Sequence, residues 1–326
     1  ADLPLFLAQH QGLGAPAGPA PGSATAATPT TGPAAVLEHL ARLSGWPAKA
    51  GQWEGEILPA RLTGYQPAWL DAVLQEGELV WQGCGPERLT FCYHDELDLL
   101  APLRTGEVGK GAPTPDGEVP VAAGGGCPLS EVEEGLRYPF ASITPRELRD
   151  QTYARIWRCV WEGGLVNDGF PAVRQGIANR FRWPATAGTA RPPRPGRRRL
   201  GGRRPRLLQV PGNWYRPRLP PPPVEELDRL EGDKERVRIL LGRYGVVFRS
   251  LVARELGAFG WGGLFRALRL MELSGEVVGG HFVEGAPGPQ FVARETLGTL
   301  DQGLDRGRIF FLNATDPASV CGLGLD

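Results

Sequence analysis

Three places in the chain carry the same short succession of apolar and polar positions. Residues 72–83 read AVLQEGELVWQG, residues 158–169 read RCVWEGGLVNDG, and residues 270–280 read LMELSGEVVGG. In each, apolar residues near helical spacing give way to a glycine (Gly77, Gly163, Gly275) and then to an aliphatic-valine pair. The pairs are Leu79-Val80, Leu165-Val166 and Val277-Val278. The first part predicts the end of an amphipathic helix and the pair predicts a short strand. A glycine fits the helix C-terminus, where a left-handed residue closes the last turn without a Cβ clash. A helix running straight into a hairpin is the junction between the recognition helix and the wing of a winged helix.

The flanking positions predict the remaining elements. Thr144-Pro145-Arg146-Glu147 is a capping box with proline at the first helical position, and it launches a helix over residues 146–162. Leu148, Tyr153, Ile156, Cys159 and Val160 roughly follow helical spacing there. Pro67 sits at the entry to a helix over 68–76. In the third copy, 225–243 predicts one helix and 248–256 a second. The recognition helix follows over 261–274, with Leu264, Leu268 and Met271 on its buried face. Second wing strands are predicted at 88–93 and 289–292. The middle copy is poorer, because Phe170 leads into a basic segment rather than a clear return strand. The fold class is therefore α+β: tandem winged-helix modules, two well formed and one degraded.

Pro/Gly/Ala-rich stretches at 12–33, 106–126 and 183–223 bury too little apolar surface to offset their ordering entropy, and they mark the boundaries. The division is a winged-helix module with an N-terminal loop (1–105), a linker (106–127) and a degraded winged-helix module (128–182). A basic Arg/Pro linker (183–223), a winged-helix module (224–304) and the truncated start of a β-rich, barrel-like module (305–326) complete it.

Charge changes this picture more than bulk composition does. The 326 residues hold 36 basic and 36 acidic side chains, yet from Gly169 to Val224 there are thirteen arginines and no Asp or Glu. Arg197, Arg198, Arg199, Arg203, Arg204 and Arg206 lie in that stretch, and the rest of the chain holds 23 basic residues against 36 acidic. A basic segment among acidic modules is the footprint of phosphate binding. The abundance of Ala, Gly, Pro and Arg, with only three lysines, also suits a GC-rich genome and a solvated linker. On the third module, Arg266 and Arg269 fall roughly opposite the apolar stripe of the recognition helix. His281 falls in the wing, and Arg243 and Arg249 flank the preceding helix. Arginines so placed bind phosphate or guanine edges, although winged helices also dock proteins.

Other chemistries find little support. Residues 106–111 (GEVGKG) have the wrong glycine spacing for a phosphate-binding loop, and they lack the Ser or Thr that holds magnesium. ATP hydrolysis is therefore not expected of these residues. His94-Asp95-Glu96 matches neither a zinc-protease helix nor a helicase acidic box, and no GxSxG occurs. The five cysteines form no CxxC pair, which favours a reducing cytoplasm over a disulfide framework. Cys84, Cys92 and His94 come nearest to a metal cluster, but at no standard ligand spacing, so no metal is expected. No run approaches the roughly 18 apolar residues of a membrane span. The chain begins at Ala1 and its one methionine is Met271, so a piece of a longer protein is expected.

Several blocks resemble a known family. RYGVVFRSLVARE (243–255), RLMELSGEVVGGHFVEG (269–285), PQFV (289–292) and ATDPASVCG (314–322) are similar to the C-terminal part of large helicase-related (Lhr-type) superfamily 2 DEAD/DEAH-box helicases. EILPARLTGYQPAWLDAVLQEGELVWQG (56–83) and IWRCVWEGGLVNDGF (156–170) resemble earlier winged-helix segments of that family, in the same order. The resemblance implies an accessory arm that binds DNA, or RNA, and works beside the motor domains of a parent polypeptide. It also implies that 308–326 open a barrel, cut short after Asp316-Pro317. The arginine-proline segment departs from the family pattern, as an insertion or as damaged sequence. Some family members further resemble DNA glycosylases built on tandem winged helices, which offers a repair function as an alternative. The residues that could then handle a water nucleophile are Gln290 and Asp316, each with a structural excuse as wing cap or turn initiator. A purely structural arm for self-association is the third reading.

Overall fold

The computed structural model describes residues 2–13, 31–100, 126–128, 145–182, 212–217, 223, 225–301, 309 and 311–323. Helix α1 (Leu3–His10) is followed by α2 (Pro33–Arg42) and the short strand β1 (Ala48–Lys49). Helix α3 (residues 50–61) contains a π-helical turn at Trp53–Ile57, and α4 (Pro67–Glu76) leads into the hairpin β2 (Leu79–Gly83) and β3 (Arg88–Tyr93). The C-terminal unit repeats this order. It consists of α7 (Glu226–Tyr244), β6 (Val246–Phe248), α8 (Arg249–Val252), α9 (Trp261–Leu273), β7 (Val277–Gly280), β8 (Gln290–Ala293) and α10 (Arg294–Asp301). The sheets are β1-β3-β2 and β6-β8-β7, antiparallel throughout. Helix, strand, two helices, then a two-stranded wing is the winged-helix topology, so the outer units are two copies of one fold.

The repeated glycines mark these copies. Gly77, Gly163 and Gly275 have φ of 80°, 70° and 81°, the left-handed conformation that ends a helix before its strand. The strands β1 and β6 were not predicted, being only two and three residues long. The second helix expected over 248–256 is shorter than its pattern: Phe248 ends β6, α8 stops at Val252, and a 3-10 turn follows at Gly257–Phe259.

The middle unit is more complete than its sequence indicates. Helix α5 (Pro145–Trp161) runs into β4 (Val166–Asn167) and α6 (Pro171–Ala178). The return strand is β5 (Trp214–Tyr215), pairing Val166 with Tyr215 and Asn167 with Trp214. It lies beyond the basic segment, within the stretch read as linker, and Cys127 bridges to Trp214 on its other side. Local inspection after Phe170 therefore misses the strand.

The apolar core runs through all three units. Trp53 meets Phe91 edge-on at 4.8 Å and Phe91 meets Phe170 at 5.7 Å, which joins the first unit to the middle one. Arg174 of α6 reinforces that joint by pairing with Glu54 at 2.7 Å and Asp71 at 2.8 Å. Ahead of the stretch read as a loop (12–33), which lies mostly outside the described residues, α1 buries Leu3, Phe6 and Leu7. Phe6 packs on the C-terminal unit, where a Cβ at Gly245 would sit 2.7 Å from its ring. Residues 311–323, expected to open a β-rich module, form turns and no strand where they are described.

Candidate nucleic-acid interface

Helix α9 turns Leu264, Ala267, Leu268 and Met271 inward, so Arg266 and Arg269 face outward as their spacing predicts. Both are paired. Arg266 lies 3.0 Å from Glu226 of α7, and Arg269 bonds Glu272 one turn on. Arg238 of α7 is likewise held by Glu235 and, at 2.6 Å, by Glu276. The Arg238 hydrogen bond is the main reason the Glu276 carboxyl sits below its ordinary range. Exposed pairs of this kind contribute roughly 0–1 kcal/mol, so a phosphate can compete for the arginines.

Strand register brings the next two candidates together. Phe248 pairs with Gln290 and Gln290 with Gly280, in one row across the sheet. β6 and β7 run in the same direction, so Arg249 and His281, the residues after Phe248 and Gly280, leave the sheet at the same end. Two strand spacings put them roughly 10 Å apart along the row. Both side chains are exposed.

Arg243 belongs elsewhere and is a correction. It is 0% exposed, pairs with Glu255 at 2.5 Å, and donates to the Ser44 carbonyl of the first unit. Trp46, Tyr244 and Phe259 ring its guanidinium at 5.5–5.8 Å. Burial works to lower its pKa, but the Glu255 carboxylate outweighs it and holds the pKa above the ordinary value. No phosphate reaches this group.

The two candidates for handling a water nucleophile are structural pieces. The Gln290 carboxamide oxygen accepts from the Phe282 and Val283 amides at 2.7 Å each. Its nitrogen donates to the Val283 and Ala286 carbonyls, so the residue organises the wing loop and is buried. Asp316 receives both Arg61 Nη atoms at 2.9 Å and caps the Ala318 amide at 2.8 Å. With these partners neither side chain is free to activate water. Arg197, Arg198, Arg199, Arg203 and Arg204 lie outside the described residues.

Cys84 and Cys92 are buried free thiols; burial pushes Cys84 up to about 12 and raises Cys92 as well. Thiols held protonated are poor metal ligands. Among the described residues no group of three His, Cys, Asp or Glu side chains is placed to hold a metal ion. No helix among them is long and apolar enough to cross a membrane.

Two clefts form where the first unit meets the middle one, from residues far apart in sequence. One, of about 540 Å³, lies between α4, β2 and the middle sheet and is lined by Asp71, His94, Asp168 and Tyr215. Its carboxylates are engaged, Asp168 by Asn213 and Asp71 by Arg174. The other, of about 550 Å³, lies where the 84–87 wing turn meets α5 and the turn after α6. Arg158, Arg180 and Arg182 line it, and its sequence signal was an arginine beside aromatic residues at a helix end.

Residues 1–93 and 226–308 each match the winged-helix domain of large helicase-related proteins, as the third and fourth such domains respectively. A Mycolicibacterium smegmatis protein named Lhr helicase/probable uracil glycosylase is 28% identical over 316 residues, covering 91% of this chain and 20% of that protein. The Escherichia coli Lhr helicase/uracil glycosylase is 26% identical over 306 residues, covering 88% of this chain and 19% of that protein. The chain thus spans about a fifth of the length of these relatives.

Proposed function

The chain belongs to the large helicase-related family, as tandem winged-helix domains from its C-terminal region, and on that premise we propose that it is the nucleic-acid-binding accessory arm of an ATP-dependent helicase. In this reading the arm guides DNA or RNA to or from motor domains carried elsewhere in a parent polypeptide, in the cytoplasm. ATP and magnesium belong to those motor domains. The observation that carries the reading is the wing of the C-terminal unit. There the register sets exposed Arg249 and His281 at the same end of the sheet, with one strand between them. Arg266 and Arg269 lie on the adjoining helix, restrained only by ion pairs with exposed Glu226 and half-buried Glu272. Contacts of this kind act on phosphate and select sequence weakly.

Fluorescence-anisotropy titration with single-stranded, duplex and forked DNA at two salt concentrations tests this. Salt-sensitive binding is expected, and replacing Arg249, Arg266 and Arg269 with alanine should weaken it and flatten its salt dependence. Unchanged affinity and slope would remove this surface from the interface. No binding at low salt would favour the winged helices as protein-docking or self-association elements. The relatives' names include uracil glycosylase, but in this chain Gln290 and Asp316 serve the fold, so the repair reading gains no residue here.

A further inference from the structure

The cleft at the middle unit has a composition unlike the rest of the surface. Most described arginines hold a carboxylate or a carbonyl: Arg42, Arg61, Arg174, Arg236, Arg238 and Arg254 are examples. The exposed side chains of Arg158, Arg180 and Arg182 make no hydrogen bond or ion pair among the described residues, and all three line this one cleft. Glu87 and Glu162 line it too, so cations exceed carboxylates by three to two.

Aromatic rings line the space between these cations. Trp157 and Trp161 stack at 5.2 Å with 27° between planes, and Phe181 stands edge-on to them at 4.7 and 4.9 Å. Trp157 is 2% exposed, and its indole N–H has no acceptor among the described residues. Trp161 and Phe181 are half-buried and border the opening. The turn that presents them is strained: Arg180 and Phe181, neither a glycine, hold consecutive φ of 55° and 53°. Such conformations persist where surrounding packing imposes them, and they cluster at binding sites. Gly176 supplies the room, since a Cβ there would lie 2.5 Å from the Phe181 ring.

Unpaired guanidinium groups around a partly open aromatic cluster suit a strand whose bases are free to stack. We propose that this cleft binds single-stranded nucleic acid, with an unstacked base against Trp161 and Phe181 and neighbouring phosphates on Arg158, Arg180 and Arg182. A duplex keeps its base faces covered and uses only the cations. The inference rests on the reading of the chain as a nucleic-acid-binding arm, but it assigns a different site and a strandedness.

The test uses the full chain and three fluorescein-labelled probes at two salt concentrations: a dT 12-mer, a 12-mer of abasic units with the same phosphates, and a 12-base-pair duplex. The dT 12-mer is expected to bind about tenfold more tightly than the abasic strand, the size of one stacked base. The triple variant R158A/R180A/R182A should bind the dT 12-mer at least tenfold more weakly, with a log–log salt slope shallower by about 2 for three lost phosphate contacts. These side chains are exposed, so its melting temperature should match wild type, and stacking is read on the unaltered protein. Equal binding of the dT and abasic strands overturns the proposal. So does an unchanged affinity and slope in the triple variant; if R249A/R266A/R269A then loses binding, the accessory-arm reading survives without this site. Failure of the wild-type chain to bind any probe overturns both.

Discussion

Arg243 and Arg249 stand six positions apart, carry the same guanidinium and end in opposite environments. The first is the interior partner of Glu255 and the second is exposed at the wing. Removing one member of a buried pair leaves the other charge uncompensated, which costs about 3–5 kcal/mol. Arg243→Ala is therefore expected to lower unfolding free energy by that order in urea titration, and Arg249→Ala by no more than about 0.5 kcal/mol. A near-neutral Arg243→Ala would contradict the interior assignment. His39 gives the acid response. Burial, then the nearby Arg42 and Arg61, bring it from 6.5 down to about 4. Between those values the unfolded chain binds more protons than the folded one, so stability should fall as pH drops from about 6.5 towards 4. His10, lowered chiefly by burial, acts with the same sign. His39→Gln should show a smaller loss between pH 7 and pH 4.5 in matched urea titrations, and an equal loss would place the titration elsewhere.

At the scale of elements, the middle unit depends on how closely α5 can approach β2. A Cβ on Gly83 would lie 1.8 Å from the Val160 carbonyl oxygen, a backbone atom that cannot turn aside. The same joint is closed by the Gly85 amide donating to the Trp161 carbonyl at 2.9 Å. Gly83→Ala should therefore displace α5 while leaving the hairpin of the first unit paired. The measurable result is faster proteolysis within residues 145–182 with little change at 48–93. Wild-type cleavage rates in both regions would mean that the joint tolerates a shift. Local sequence announced the amphipathic helices and their terminal glycines, because periodicity and helix-stop chemistry are local properties. It did not announce β5, since Trp214 and Tyr215 acquire strand geometry by pairing with residues 166–167, nearly fifty positions away.

At the scale of the whole molecule, residues 2–13 and 311–323 are folded into the joint between outer units. Gln11 donates to the Arg243 carbonyl at 3.0 Å and accepts from Arg61 at 2.8 Å, and Arg61 in turn holds Asp316. Arg254 of the C-terminal unit reaches the Ser319 carbonyl at 2.5 Å, and Gln52 of the first unit reaches Thr315 at 2.9 Å. Residues 311–323 thus fasten two winged helices from outside both. Asp316→Ala leaves the buried Arg61 without its counter-charge and should destabilise by about 3–5 kcal/mol. Calorimetry should show the first and C-terminal units melting together in wild type and at separate temperatures in the variant. Two transitions already present in wild type would show that the seam does not couple them.

The sequence by itself determined the tandem winged-helix plan, the family and the outward face of α9, because each rests on spacing along a few turns of chain. Only the tertiary structure decided which charges are available. Arg243, Gln290 and Asp316 look like site residues in one dimension, and become interior pieces once distant backbone closes around them. Arg158, Arg180 and Arg182 carry in sequence only the weak signal of cations beside aromatic residues, and stand out once folding has paired most other arginines. Burial and ion pairing depend on neighbours brought from far along the chain, and no local pattern records them.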